Sequence, residues 1–323
     1  MTTPSIARIE RSQIESALRN IDGLYRHFLH ETPLMKLPGA ALGVDCFEVW
    51  LKLEQLQTSG SFKARGMLHR MLANPIPPSG VIIASGGNAG IATAAAAKLL
   101  GVACEVFVPT ISSLAKQARL KALGATLHVT GAAYSDALAA CLERQKITGA
   151  LLMHAYDQTE VVIGAGTLAA EMDRQAGRAP DSVLVSVGGG GLIAGIASWY
   201  ADTTTRVIAL EPNQAPTLHA ARAAGEPVDV SVSGIAADAL GAKRIGSISW
   251  PITQQHVQSS LLLSDQAILD AQLWLWQHLQ IAAEASASLG LAALQTGAYH
   301  PKKNETIALV ICGANLDLAA LKT

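Results

Sequence analysis

The chain carries little charge. Of its 323 residues only 15% are Asp, Glu, Lys or Arg, against about 25% in an ordinary soluble protein, while half are hydrophobic. That balance implies extensive burial, within the chain and against a second subunit, and a homodimer is expected. Its 24 basic residues are scattered and the formal charge is −1. No lysine or arginine cluster interleaves with aromatics, so a nucleic-acid partner is not expected. Cysteine is also sparse: Cys46, Cys104, Cys141 and Cys312 lie far apart, without metal-type spacing or a disulfide framework. Reduced thiols in a cytoplasm fit that usage. The opening MTTPSIARIERSQ lacks the apolar core of a signal peptide. The uncharged run nearest membrane length, 182–201, contains four consecutive glycines and reads as strand, loop and helix rather than a span. No repeat, low-complexity tract or long polar linker divides the chain. At about 100 to 200 residues per domain, two domains fit, separated by chain crossings within one body.

What is present is alternation. VIIA (81–84) precedes a helical pattern over 88–100, and CEVFVP (104–109) precedes one over 113–123. TLHVT (126–130), LLMH (151–154), VLVSV (183–187), RVIAL (206–210) and IALVI (307–311) are further strands flanked by helical spacing. This is the pattern of an α/β protein whose parallel sheets are covered by helices. FEVWLKLE (47–54) alternates apolar and polar residues and is expected to show a polar face or form a sheet edge. A helical pattern also covers 11–29. Ligands of such sheets gather at the carboxyl ends of the strands, which confines the search to strand-to-helix loops.

Four loops carry chemistry. After 183–187 come Gly188, Gly189, Gly190 and Gly191 at a helix start, where bare backbone N–H groups and the helix terminus suit a phosphate. A ligand-free tight turn is the plain alternative. Gly189, Gly191 and Ala194 also satisfy G-x-G-x-x-A, with Glu211 twenty residues past Gly191. That combination is a dinucleotide fingerprint and keeps an NAD-dependent oxidoreductase open as a rival. After 81–84 come Ser85, Gly86, Gly87, Asn88, Ala89 and Gly90, suited to a carboxylate, with Asn88 either a simple N-cap or an amide donor. Cys312 follows 307–311 and is either a small core residue or a sulfur facing a ligand. Lys63, in TSGSFKARG (58–66), is either a solvated lysine or a desolvated amine of the Schiff-base type. Together the loops offer an amine, a phosphate cradle, a carboxylate cradle, an amide and a sulfur, a set that suits pyridoxal 5'-phosphate, with its aldehyde, phosphate, ring hydroxyl and ring nitrogen.

SGSFKARG, SGGNAG, SVGGGGL and ICGAN, in this order and spacing, resemble the serine/threonine dehydratase branch of the fold-type II (tryptophan-synthase-β-like) pyridoxal-phosphate enzymes, over about His30 to Thr323. The resemblance implies two intertwined open, twisted, parallel-rich sheets with the cofactor in the cleft. Residues 1–72 and 158–323 would form a large domain and 73–157 a small mobile one. It implies that Lys63 is the Schiff-base lysine, that Phe62 and Ala239 flank the cofactor ring, and that Asn88 meets the ring hydroxyl. Gly188, Gly189, Gly190, Gly191 and Leu192 would hold the phosphate, Cys312 would face the ring nitrogen, and Ser85, Gly86, Gly87 and Ala89 would bind the substrate carboxylate.

The implied reaction is elimination of water from L-serine or L-threonine, giving a 2-oxo acid and ammonia. A dehydratase of hydroxyaspartate or phenylserine and a serine racemase are related readings, although racemases carry a serine where this chain has Gly86. HAYDQ (154–158) departs from the family's His-Pro-Phe-Asp pattern at Ala155 and Tyr156. Glu211 and the Ala215 carbonyl match positions that hold a monovalent or divalent cation in some relatives, but Thr217 replaces an acidic ligand. The chain ends eleven residues after Cys312, short of a regulatory domain, which points to catabolic use.

Overall fold

The computed structural model describes residues 8–317, so the outermost parts of the expected large domain, 1–7 and 318–323, lie outside the described residues. The strands are β1 (Leu34–Pro38), β2 (Glu48–Lys52), β3 (Val81–Ala84), β4 (Cys104–Val108), β5 (Thr126–Val129), β6 (Leu151–Leu152), β7 (Ser182–Ser186), β8 (Arg206–Pro212), β9 (Ser259–Leu263) and β10 (Thr306–Val310). The helices are α1 (Arg11–Leu24), α2 (Lys63–Leu72), α3 (Asn88–Leu100), α4 (Leu114–Ala122), α5 (Tyr134–Thr148), α6 (Thr159–Ala176), α7 (Gly191–Tyr200), α8 (Thr217–Ala224), α9 (Ala237–Leu240), α10 (Ser249–His256), α11 (Asp265–Leu279) and α12 (Leu289–Gln295).

Two sheets result. One has the order β1-β2-β10-β7-β8-β9 and the other β5-β4-β3-β6. Every pairing is parallel except that of β1 with β2, as expected for an α/β fold with crossover helices. β3 and β10 are interior strands, so the loops after Ala84 and Val310 open from the middle of each sheet.

The structure corrects several expectations. The 47–54 segment is neither an edge nor a solvated face. β2 lies between β1 and β10, and Lys52 and Glu54 are fully buried, because their charges are paired inside the protein. β1 forms the edge instead. In 151–154 only Leu151 and Leu152 pair with β3. The helical pattern over 11–29 stops at Leu24, where the Tyr25 carbonyl accepts the Phe28 and Leu29 N–H groups. The resulting turn buries Phe28 and Leu29 in the apolar cluster of the smaller sheet.

α2, whose first residue is Lys63, is anchored twice. Its apolar side, Ala64, Met67, Leu68 and Met71, joins the cluster of the smaller sheet. Its other side meets α6 at backbone distance: a Cβ on Gly164 would fall 2.8 Å from Gly66 Cα and 2.7 Å from the Arg65 carbonyl oxygen. Beside that contact lies a buried charge cluster. Arg65 donates to both Glu54 oxygens (2.8 and 2.7 Å) and both Glu171 oxygens (3.0 and 2.8 Å). Lys52 Nζ donates to Glu171 Oε1 (2.6 Å), the Thr32 carbonyl (2.7 Å) and Gln175 Oε1 (2.7 Å). Two cations face two carboxylates, so the cluster is neutral. Burial by itself would raise the Glu171 carboxyl, but the charges and hydrogen bonds of Arg65 and then Lys52 outweigh it and hold it below the ordinary range.

Removing one partner strands a buried charge, so Glu171→Ala is expected to cost about 3 to 5 kcal/mol in urea unfolding; a loss well under that range would show the cluster to be dispensable. Because the folded pKa of Glu171 lies below the unfolded one, its contribution is complete above about pH 4.3 and is lost as the pH falls toward the folded value.

Candidate active site

Ser61 pairs with Gly313 as an antiparallel bridge, Phe62 N–H donates to the Cys312 carbonyl (3.0 Å) and Ala314 N–H donates to the Gly60 carbonyl (2.9 Å). Two loops about 250 residues apart are thereby zipped together, which sets Lys63 beside Cys312. Ser59 in this loop has φ +68°, uncommon for a residue with a side chain. Its carbonyl accepts from Asn315 Nδ2 (2.9 Å) and Arg119 Nη2 (3.2 Å).

Lys63 itself is half-buried, with Nζ donating to the Ala155 carbonyl at 2.6 Å and lying 5.0 Å from the centroid of the Phe62 ring. Burial lowers its pKa to about 8, against the opposing pull of Cys312 and Glu284. Phe62, Lys63, Gly66, Ala155, Gly191 and Leu192 line a small cavity of about 10 Å³. Opposite the amine, the buried turn Gly188–Leu192 opens α7. Gly190 has φ +92°, and a Cβ there would lie 2.6 Å from Ile245 Cδ1 and 2.7 Å from Ser249 Cβ. A Cβ on Gly189 would meet the Tyr156 ring at 2.4 Å, and one on Gly188 would meet Leu240 Cα at 2.9 Å. The glycines are therefore required by close neighbours as well as by the turn. The first N–H groups of an α-helix have no intrahelical acceptor, so the head of α7 is suited to an anion.

The Ser85–Ala89 loop opens α3 in the same way from the other sheet. Asn88 Nδ2 donates to Glu284 Oε1 (2.8 Å), and Asn88 Oδ1 accepts from Asn315 Nδ2 (2.5 Å). Exposed Ala239 lies in the short α9, between Asp238, whose carbonyl is 3.7 Å from the Cβ position of Gly87, and Leu240 at the Gly188 turn. Cys312 is buried, and burial, reinforced by Glu284, pushes its thiol up to about 12. It remains a neutral thiol, 3.7 Å from Ser286 Oγ. The structure thus gathers Lys63, Phe62, both helix heads, Ala239 and Cys312 around one cleft.

Glu211 and Ala215 do not join it. Glu211 Oε1 accepts from Leu218 N–H (2.6 Å), while Oε2 accepts from His219 N–H (2.8 Å) and Ser260 Oγ (2.7 Å). It closes the head of α8, and burial pushes its carboxyl up to about 7. The Ala215 carbonyl accepts Thr217 N–H at 3.1 Å. Among the described residues no group of three His, Cys, Asp or Glu side chains could hold a metal ion. Residues not foreseen as part of the site are Glu284, Ser286, Asn315 and the Ala155 carbonyl. In HAYDQ, Tyr156 covers the glycine turn while His154 Nδ1 accepts from Asp157 N–H (2.9 Å).

The cleft fits a phosphorylated aldehyde. It joins a lysine with a lowered pKa to a turn without side chains, and the buried hydroxyls of Ser61 and Ser249 have no partner among the described residues. Ser249 Oγ lies 3.1 Å from the Cβ position of Gly190. Fold and site together define a pyridoxal-phosphate enzyme built on two mainly parallel sheets. The chain belongs to the pyridoxal-phosphate dependent enzyme family, whose match covers residues 26–313. L-Threonine ammonia-lyase of Geobacter sulfurreducens is 33% identical over 84% of this chain and 68% of its own length. Serine racemase of Oryza sativa is 27% identical over 94% of this chain and 91% of its own. Among solved structures, a threonine deaminase from T.th. superposes with a TM-score of 0.87 at 32% identity, covering 96% of this chain and 99% of that one. Maize serine racemase superposes with a TM-score of 0.89 at 29% identity, covering 97% and 95%. The family overturns the nicotinamide reading, and Glu211 shows why it fails physically: its carboxylate is fully buried against the head of α8. Among the described residues no helix is long and apolar enough to cross a membrane.

Acylation of Lys63 in the cofactor-free protein, followed by mass spectrometry as a function of pH, is expected to be half-maximal near pH 8. A midpoint near the ordinary lysine value of about 10.4 would show the amine to be solvated.

Proposed function

We propose that the protein is a pyridoxal-phosphate-dependent ammonia-lyase that eliminates water from L-serine or L-threonine and yields the 2-oxo acid and ammonia. The observation that carries this reading is the convergence of the Lys63 amine, the glycine turn and the Asn88 loop from two sheets upon one cleft, in a chain similar to L-threonine ammonia-lyases. Pyridoxal phosphate, when bound, supplies an electron-withdrawing ring that acidifies the substrate Cα. The glycine turn and Leu192 would hold its phosphate, Phe62 and Ala239 its faces, Asn88 its hydroxyl side and Cys312 its nitrogen side.

The protein's own groups account for the remainder. The N–H groups of Ser85, Gly86, Gly87 and Ala89 suit the substrate carboxylate. Lys63, whose ammonium form is disfavoured by burial, is suited to take the Cα proton, since a base works best with a pKa near the operating pH. The Ala155 carbonyl orients Nζ at 2.6 Å. In the balance, Cα gives up a proton, the β-hydroxyl leaves with a proton as water, and hydrolysis of the resulting enamine consumes one water and releases ammonia. A neutral thiol at Cys312 provides no counter-charge for a protonated ring nitrogen, which favours prompt elimination over transamination. Closure of residues 73–157 onto the remainder of the chain would exclude water. A cytoplasmic homodimer accords with the low charge and the free cysteines.

Serine racemases are similar to this chain to a comparable degree and supply the second reading. Against it stands Gly86, which offers no side chain to protonate the opposite face. A Cβ there would meet Val108 Cγ1 at 3.1 Å and Ser112 Oγ at 3.4 Å.

Purified holoprotein is expected to be yellow and to release 2-oxo acid from L-serine or L-threonine without accumulating the D-enantiomer on chiral analysis. Lys63→Ala should lower that release by at least about 100-fold. D-Serine formed as fast as pyruvate would favour the racemase, and a coloured protein that consumed neither amino acid would redirect the search to hydroxyaspartate and phenylserine.

A further inference from the structure

Glu284 lies just before a 3-10 turn (Ala285–Ala287) and is 8% exposed. Its N–H donates to the Gly313 carbonyl (3.0 Å), and a Cβ on Gly313 would fall 2.5 Å from its Oε1. The strand end that carries Cys312 is therefore shaped around this carboxylate. Oε1 accepts from Asn88 Nδ2 (2.8 Å) and Ser286 Oγ (2.7 Å), and Ser286 Oγ approaches Cys312 Sγ. One carboxylate thus touches Asn88 directly and reaches Cys312 through a single hydroxyl.

The hydrogen bonds have a fixed direction. An ionised carboxylate only accepts, so Asn88 must turn Nδ2 toward Glu284 and Oδ1 away. Oδ1 then accepts from Asn315 Nδ2, which also donates to the Ser59 carbonyl. Acceptors stand at both ends, Glu284 and Ser59, and no flip of either amide satisfies both. Other groups near Lys63 carry little competing charge. The Cys312 thiol is pushed up to about 12, and burial lowers the His154 pKa, leaving that ring neutral. Beyond them, Asp238 faces Glu284 but is paired with Lys116.

We propose that Glu284 is a positioning residue of this active site: it anchors the Asn88 amide nitrogen and is the acidic neighbour that acts on the Lys63 amine. The effect on Asn88 rests on the cofactor reading given above, whereas the effect on Lys63 belongs to the free protein. Replacing the carboxylate removes an attraction on the ammonium form and leaves Asn88 Nδ2 without its acceptor, so that Asn88 is held only through Asn315, which the Ser59 carbonyl and Arg119 keep in place.

The test uses the full chain with Glu284→Gln and Glu284→Ala. In cofactor-free protein the Lys63 acylation midpoint is expected to fall, by a few tenths of a pH unit up to about one unit. In a second measurement, the dissociation constant for pyridoxal 5'-phosphate is expected to rise about 3- to 10-fold in Glu284→Ala, with a changed visible spectrum. Thermal melting separates these effects from general loosening, which would not lower the Lys63 midpoint in a variant that melts like the parent. If Glu284→Gln does not fold, Glu284→Asp draws the charge back and should give a smaller downward shift. An unchanged Lys63 midpoint in a folded variant overturns the proposal. Failure of the parent protein to bind the cofactor would instead defeat the functional reading and leave the Lys63 measurement valid.

Discussion

Arg65 binds two carboxylates with both edges of its guanidinium, two residues beyond Lys63, and the geometry of the site follows from that arrangement. Glu54 follows β2, Glu171 belongs to α6, and Lys52 closes the cluster from the end of β2. A buried group of this kind adds little net stability over apolar packing, since desolvation offsets the attraction. What it confers here is a single permitted register: a shift of α2 along α6 would leave a charge unpaired and drive the backbones together at Gly66 and Gly164. On the other side, the backbone bridge from Ser61 to Gly313 sets the distance to the end of β10. The amine is therefore positioned from behind by charges and from in front by the main chain.

Around the amine, the protein withholds charge. The thiol of Cys312, the ring of His154 and the amides of Asn88 and Asn315 are neutral neighbours, and the low charge content of the whole chain has its local counterpart here. Burial makes the Lys63 ammonium costly, bringing its pKa to about 8. Glu284 works against burial, so the lysine proton affinity is a balance between desolvation and a carboxylate whose own pKa burial raises.

The glycine turn and the Asn88 loop were legible because each follows a strong local pattern, an apolar strand before a helix. β3, α3 and β7 have the limits expected to within a residue. Other parts were illegible for definite reasons. β1 carries Lys36 and Pro38 and β9 reads SSLLL, so neither alternates in the manner of a strand with one buried face. Lys52 and Glu54 imitated a solvated face because alternation reports polarity and not the burial of paired ions. Glu284 sits in AEASAS, which has no periodicity, and its partners Asn88 and Asn315 are brought to it only by the tertiary fold.

The glycine turn also shows how far a motif can carry an argument. G-x-G-x-x-A at the end of a strand, with an acid twenty residues on, describes a surface that accepts any phosphate, because backbone N–H groups do not distinguish one phosphate ester from another. Which cofactor is meant depends on what stands across the cleft and on where the acid points. Here Glu211 is fully buried and turns its oxygens to the head of α8 and to Ser260, away from the cleft. Beside the turn stands the Lys63 amine, which lines the same cavity as Gly191 and Leu192. A carbonyl carbon is the electrophile that a weakly protonated amine captures, and a phosphate on the same molecule would rest on the turn. The lysine, read together with the glycines, therefore discriminates between cofactors where the glycines alone do not.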